Sequence, residues 1–225
     1  MTTLLLSWGL MTLALGLAAR SSSVSGRRLQ IALPVLAFGV GSLNPLTEAV
    51  VFGVMPVADI PAAMAMHLVL LSGLSLAAIA LSGKWHDNHQ QHESRTLTPA
   101  RLVAAAICYT FLYLSAGMAV FPFVKEFYAT KTLPPLSTLV SLQLVRGLLY
   151  VLYAWPWLRL GPRNSGVALG VVYAVLGGVA PLIVDNNTYM PRDVRMAHLV
   201  EVGISNFAFG MVVGWLFRPN RAATM

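Results

Sequence analysis

Apolar residues fill this chain in runs of about twenty, from Leu29 to Phe217 almost without interruption, and most charges fall in the gaps between runs. A run of that length is what an α-helix needs to cross roughly 30 Å of hydrocarbon. The pattern predicts an all-α, polytopic integral membrane bundle of seven transmembrane helices. They are placed at about 3–19, 29–55, 61–83, 101–124, 136–158, 166–185 and 195–217. Pro56, Pro61, Pro134, Pro135, Pro162 and Pro191 stand near span ends as breakers. Pro34 and the pair Asn44-Pro45 lie inside the long second span, where a missing backbone donor predicts a kink or partial unwinding.

Composition agrees: 57% of residues are hydrophobic, 10% are charged, and mean hydropathy is +0.71. The loops are short, so residues 1–225 are expected to form a single transmembrane domain, with 84–100 as a polar cytoplasmic loop. Cys108 is the single cysteine, which excludes an intrachain disulfide.

The formal charge of +7 needs no nucleic-acid partner, because membrane proteins collect Lys and Arg in cytoplasmic loops. The run from Thr2 to Ala19 has no basic residue before it, and Arg20, Arg27 and Arg28 follow it. That order predicts a retained first helix with its N-terminus outside. On that topology Arg20, Arg27, Arg28, Lys84, Arg95, Arg101, Arg159, Arg163, Arg218 and Arg221 lie inside. Only Lys125, Lys131, Arg192 and Arg195 lie outside. The bias predicts N-out, C-in in the plasma (cell inner) membrane.

A weak threefold echo runs through the spans. His67-Leu68-Val69, Gln143-Leu144-Val145 and His198-Leu199-Val200 recur at similar depth in three inward-running helices. The helices preceding them carry Gly41, Gly117 or Gly177, then Pro45, Pro122 or Pro181, then Glu48, Glu126 or Asp185. One helix plus three helical hairpins is the arrangement this implies, and internal repeats are common among transporters.

Candidate chemistry rests on polar residues within apolar runs. A charge near the bilayer centre costs at least about 2.5–3.5 kcal/mol on insertion scales, so such groups are functional candidates by default. They are Asn44 and Glu48 in the second span, His67 in the third, Gln143 and Arg146 in the fifth, and His198, Glu201 and Asn206 in the seventh. Arg195, His198, Glu201, Val202 and Ser205 follow helical spacing and give the last helix a polar stripe. The expectation is a binding pocket open to the outside, lined by helices two, three, five and seven, with Arg146 countered by Glu201 or Glu48. Its guanidinium cannot discharge by losing a proton and must find an anion or escape to the interface. The bland counterpart is a buried polar network that only ties helices together, each bridge worth about 0.6–2 kcal/mol.

The functional expectation is transport or sensing of a small polar solute, anion or proton in the lipid bilayer, with no cofactor. Two other readings stand beside it. His67 and His198, with Met64, Met66 and Met196 nearby, are a candidate pair for haem or copper. A structural or assembly subunit, with a protein partner or a second copy of the chain, is the other. His86, His89 and His92 cluster in the 84–100 loop and read as solvated rather than metal-binding. Gly210-x-x-x-Gly214 permits close helix approach, and Trp85, Trp155, Trp157 and Trp215 fit an interfacial belt. The His-Glu-x-x-His, Gly-x-Ser-x-Gly and phosphate-loop motifs are all absent, which argues against an enzyme.

Overall fold

A computed structural model describes residues 1–53, 55–87, 95–129, 133–185 and 190–219. His89 and His92 of the histidine cluster, and Lys131 and Arg221 of the charge tally, lie outside the described residues. Those described form an all-helical structure with seven helices long and apolar enough to cross a membrane. They are α1 (Thr2–Ser21), α2 (Arg27–Val51), α3 (Val57–Leu81), α4 (Pro99–Ala129), α5 (Leu136–Leu158), α6 (Ser165–Leu182) and α7 (Arg192–Leu216). α4 runs past the expected 101–124 to Ala129, because Pro122 is accommodated inside it rather than ending it. Pro135 and Pro191 sit immediately before α5 and α7 in extended conformation, where a missing N–H costs the helix nothing.

Packed neighbours can be followed in a closed circuit: α3, α1, α6, α7, α4, α5, α2 and back to α3. The tightest of these contacts is α6 on α7. Gly210 and Gly214 of α7 face Gly166 and Gly170 of α6 so closely that an added Cβ on Gly214 would stand 2.2 Å from the Gly166 backbone. On Gly210 it would stand 2.3 Å from the Gly170 backbone. Small residues thus let the two backbones touch, where dispersion and weak C–H···O contacts replace side-chain packing.

α2 bends as the sequence predicts, but by a π-turn at Gly39–Leu43 rather than by unwinding. Pro45 cannot donate to the carbonyl four residues back, and its ring crowds that turn; widening the turn by one residue relieves both. α6 does the same at Val175–Val179, just before Pro181, and the two widened turns pack against each other. In α4 the corresponding stretch around Gly117 and Pro122 stays α-helical.

Four aromatic side chains, Tyr109, Tyr150, Tyr173 and Phe209, form the centre of the α4–α7 half. All are at most 2% exposed, with ring centroids 4.7–5.9 Å apart. A buried phenol needs a hydrogen-bond partner: Tyr173 donates to the Tyr150 carbonyl at 2.9 Å. Trp157 does not belong to an interfacial belt. It is 0% exposed, and its indole N–H donates to the Ala18 carbonyl at 3.1 Å, anchoring α5 to the end of α1.

The end of the bundle holding the α1–α2, α3–α4 and α5–α6 connections is laced shut by hydrogen bonds. Lys84 Nζ donates to the Ser22 carbonyl (3.0 Å), Gly26 N–H to the Lys84 carbonyl (2.9 Å) and Arg163 N–H to the Ser21 carbonyl (2.7 Å). Arg95 reaches furthest, donating to the carbonyls of Phe217 (2.8 Å) and Pro162 (3.1 Å). The misplaced polar residues lie toward the opposite end.

Candidate functional site: a caged arginine

Arg146 lies midway along α5, on the face turned into the bundle. Its side chain is 4% exposed, and Nη1 meets Glu48 Oε2 at 2.8 Å. Nε donates to Asn44 Oδ1 at 2.7 Å, and Nη1 also donates to Gln143 Oε1 at 3.0 Å. Asn44 closes the loop by donating from Nδ2 to the Arg146 carbonyl at 3.2 Å. Residues 143 and 146 are one turn apart, as are 44 and 48, so each helix presents its pair on one face. The π-turn just before Asn44 aims that pair of α2 at α5.

α4 supplies the rest of the cage, with two residues that sequence reasoning passed over. Tyr113 donates its hydroxyl to Glu48 Oε1 at 2.6 Å. The guanidinium carbon lies 5.6 Å from the Tyr113 ring centroid and 5.7 Å from that of Tyr109, within cation–π range. Tyr109 and Tyr113 stand at i, i+4 on α4, a spacing visible in the sequence. Tyrosine blends into an apolar run, however, and no charge marks this face.

The charge is therefore well held. Hydrogen bonds to ionised groups contribute about 1.5–3 kcal/mol each, and bidentate or multiple contacts repay part of the desolvation of a buried ion. Glu48 is less enclosed than its partner, with 28% of its side chain exposed. The cage is shut on the arginine side and open on the carboxylate side.

Glu201 takes another partner. Its Oε2 accepts from His198 Nδ1 at 2.6 Å, and His198 Nε2 meets the Tyr128 hydroxyl at 2.8 Å. A carboxylate only accepts, so Nδ1 carries the proton, and in the neutral imidazole Nε2 accepts from the phenol. Tyr128 lies on the last turn of α4, the helix that also supplies Tyr109 and Tyr113 to the first cluster. Gly117 gives Glu201 its room: an added Cβ there would meet Oε1 at 3.3 Å.

The remaining candidates are dispersed. His67 Nδ1 pairs with Ser42 Oγ at 3.0 Å, in the π-turn of α2. Asn206 donates to the Tyr150 hydroxyl (3.3 Å) and the Tyr173 carbonyl (3.2 Å), bridging α5, α6 and α7. Gly177 leaves space for that amide. Helices two, three, five and seven do not meet in one pocket: the Arg146 cage is built by α2, α4 and α5, and α7 contributes a separate cluster beside it. His67 and His198 are engaged by different partners on helices that are not neighbours in the circuit. Among the described residues, no group of three or more His, Cys, Asp or Glu side chains is arranged to hold a metal ion. Comparison with protein-family models, with curated proteins and with solved structures finds no match to this chain.

Proposed function

We propose that this chain is a multi-pass protein of the plasma membrane that takes a small polar solute, anion or proton into an intramembrane pocket and transports or senses it. The pocket opens to the outside. The topology in this reading is N-out and C-in, as one helix plus three helical hairpins in a single transmembrane domain. The basic residues of the laced end support that orientation.

One observation carries the reading: a guanidinium with a 4% exposed side chain whose counter-charge, Glu48, remains 28% exposed. A network serving only to tie helices together gains from enclosing both charges equally. A half-open ion pair leaves room for a third participant, and the Tyr128–His198–Glu201 chain beside it is built of groups that can pass a proton.

The test uses the full chain purified in mild detergent and a panel of small solutes covering anions, neutral polar molecules and cations. A ligand that binds only the folded state raises unfolding temperature by mass action. The expected result is stabilisation by one chemical class. In intact cells, Ser141→Cys in a Cys108→Ser background should react with an impermeant thiol reagent added outside, since Ser141 lines an open hollow between the ends of α2 and α5. Absence of any solute effect, together with an unreactive Ser141→Cys, overturns the reading.

A further inference from the structure

The donors left over around Arg146 specify what the pocket accepts. Each acceptor oxygen near the guanidinium takes one hydrogen bond: Asn44 Oδ1 from Nε, Gln143 Oε1 and Glu48 Oε2 from Nη1, and Glu48 Oε1 from the Tyr113 hydroxyl. Arginine only donates, so the Gln143 amide must turn its oxygen toward Arg146. That fixes its NH2 group on the other side. Gln143 is 0% exposed, and its Nε2 has no hydrogen-bond partner. One turn further on, the hydrogen bonds of the Arg146 guanidinium run through Nε and Nη1.

An unmet buried donor loses its bond to water and gains none in return, and native structures keep few of them without a reason. Gln143 Nε2 and Arg146 Nη2 are both donors, on residues one helical turn apart. One belongs to a cation, whose hydrogen bonds to anionic acceptors are about twice as strong as neutral ones. A cation is repelled by the guanidinium and offers the two donors no lone pair. A species with two acceptor oxygens and negative charge satisfies both.

We propose that Gln143 Nε2 and Arg146 Nη2 receive a small monovalent oxyanion, a carboxylate or an inorganic ion of like geometry. It enters beside Val51, Ser141, Leu142 and Val145, which line the neighbouring hollow. This assignment rests on the pocket reading above and narrows it to one ligand class.

The experiment titrates the unfolding temperature of the full chain in detergent with sodium acetate, sodium nitrate, acetamide and choline chloride, each against sodium chloride at equal ionic strength. Acetate or nitrate should stabilise beyond chloride, and which of the two is stronger distinguishes an organic carboxylate from an inorganic ion. Gln143→Glu keeps an acceptor for Arg146 but replaces the unmet donor with a carboxylate oxygen. It should weaken the apparent affinity at least about tenfold, a difference of 1.4 kcal/mol. Gln143→Leu removes the donor without adding charge and serves if Gln143→Glu does not fold. Equal affinity in the variants overturns the proposal, as does stabilisation by acetamide or choline alone. So does no oxyanion effect in the wild type; if Ser141→Cys still labels from outside, the pocket survives and only its ligand class fails.

Discussion

Arg146 and Glu48 meet at 2.8 Å, while Glu201, the other carboxylate able to answer the same charge, is held 2.6 Å from His198. The polar interior therefore divides into an α2–α4–α5 cage and an α4–α7 cluster, with α4 common to both. Removing one partner of a buried pair strands the other charge, typically at about 3–5 kcal/mol. Glu48 is less enclosed than Arg146, so Glu48→Gln should cost about 3 kcal/mol, at the low end. Adding Arg146→Gln should recover part of that loss in a double-mutant cycle of denaturant stability. Glu201→Gln and Arg146→Gln should add within about 0.5 kcal/mol. Coupling of Arg146 to Glu201 instead would contradict the pairing.

The contact between α6 and α7 predicts sharply different outcomes at different glycines. Gly214→Ala places a methyl 2.2 Å from the Gly166 backbone, which no rotamer change relieves. Overpacking of this kind costs typically about 1–3 kcal/mol, read as a lowered unfolding temperature in detergent. Gly9, on α1, has nothing within 4 Å of an added Cβ. Gly9→Ala should be neutral or gain up to about 1 kcal/mol from helix propensity. Equal effects at the two sites would show that the close approach is not maintained.

Orientation is tested by labelling. In a Cys108→Ser background, Asp193→Cys, at the start of α7, should react with impermeant maleimide on intact cells. His86→Cys, at the laced end, should react only after the membrane is opened. Both positions are exposed. The reverse pattern would invert the topology and place the open side of the cage in the cytoplasm.

The cluster on α7 makes a prediction about Tyr128. Tyr128→Phe removes the hydroxyl from His198 Nε2 but leaves the ring, so the loss should be that of one hydrogen bond, about 1 kcal/mol. The same substitution should leave oxyanion affinity unchanged, because the Tyr128 hydroxyl makes no contact with Gln143 or Arg146. A large affinity loss in thermal titration would merge the two clusters into one site.

The seven apolar helices were legible because length and hydropathy are enough to mark them. Arg146 and Asn44 were legible for a related reason: a guanidinium or amide in an apolar run must find partners. Which of Glu48 and Glu201 answers Arg146 was not legible. Helical spacing assumes an even 3.6 residues per turn, and the π-turn at Gly39–Leu43 adds a residue that rotates Asn44 and Glu48 by about 100° relative to Leu29 and Leu33. No periodicity argument carries a face across that insertion. Tyr109 and Tyr113 were hidden because hydropathy counts an aromatic ring before its hydroxyl. Trp157 was misread because position near a span end does not distinguish an interfacial indole from one folded inward onto Ala18.

The guanidinium of Arg95 makes the two ends of the bundle unequal in work as well as in shape. It clamps two separate chain segments, the end of α7 through the Phe217 carbonyl and the α5–α6 connection through the Pro162 carbonyl and the Ser165 hydroxyl, at 2.8, 3.1 and 3.4 Å. Opening that end breaks these bonds together, at about 1.5–3 kcal/mol for each bond to an ionised group. If a state open on the Arg95 side exists, the loss of these bonds alone would hold it to roughly one molecule in a thousand or fewer, at about tenfold per 1.4 kcal/mol. If solute crosses the membrane here, its binding energy has to drive that opening. Throughput would then be limited by how tightly the pocket closes on its ligand, and a protein with so stiff a latch is better suited to reporting a ligand's arrival than to moving it quickly.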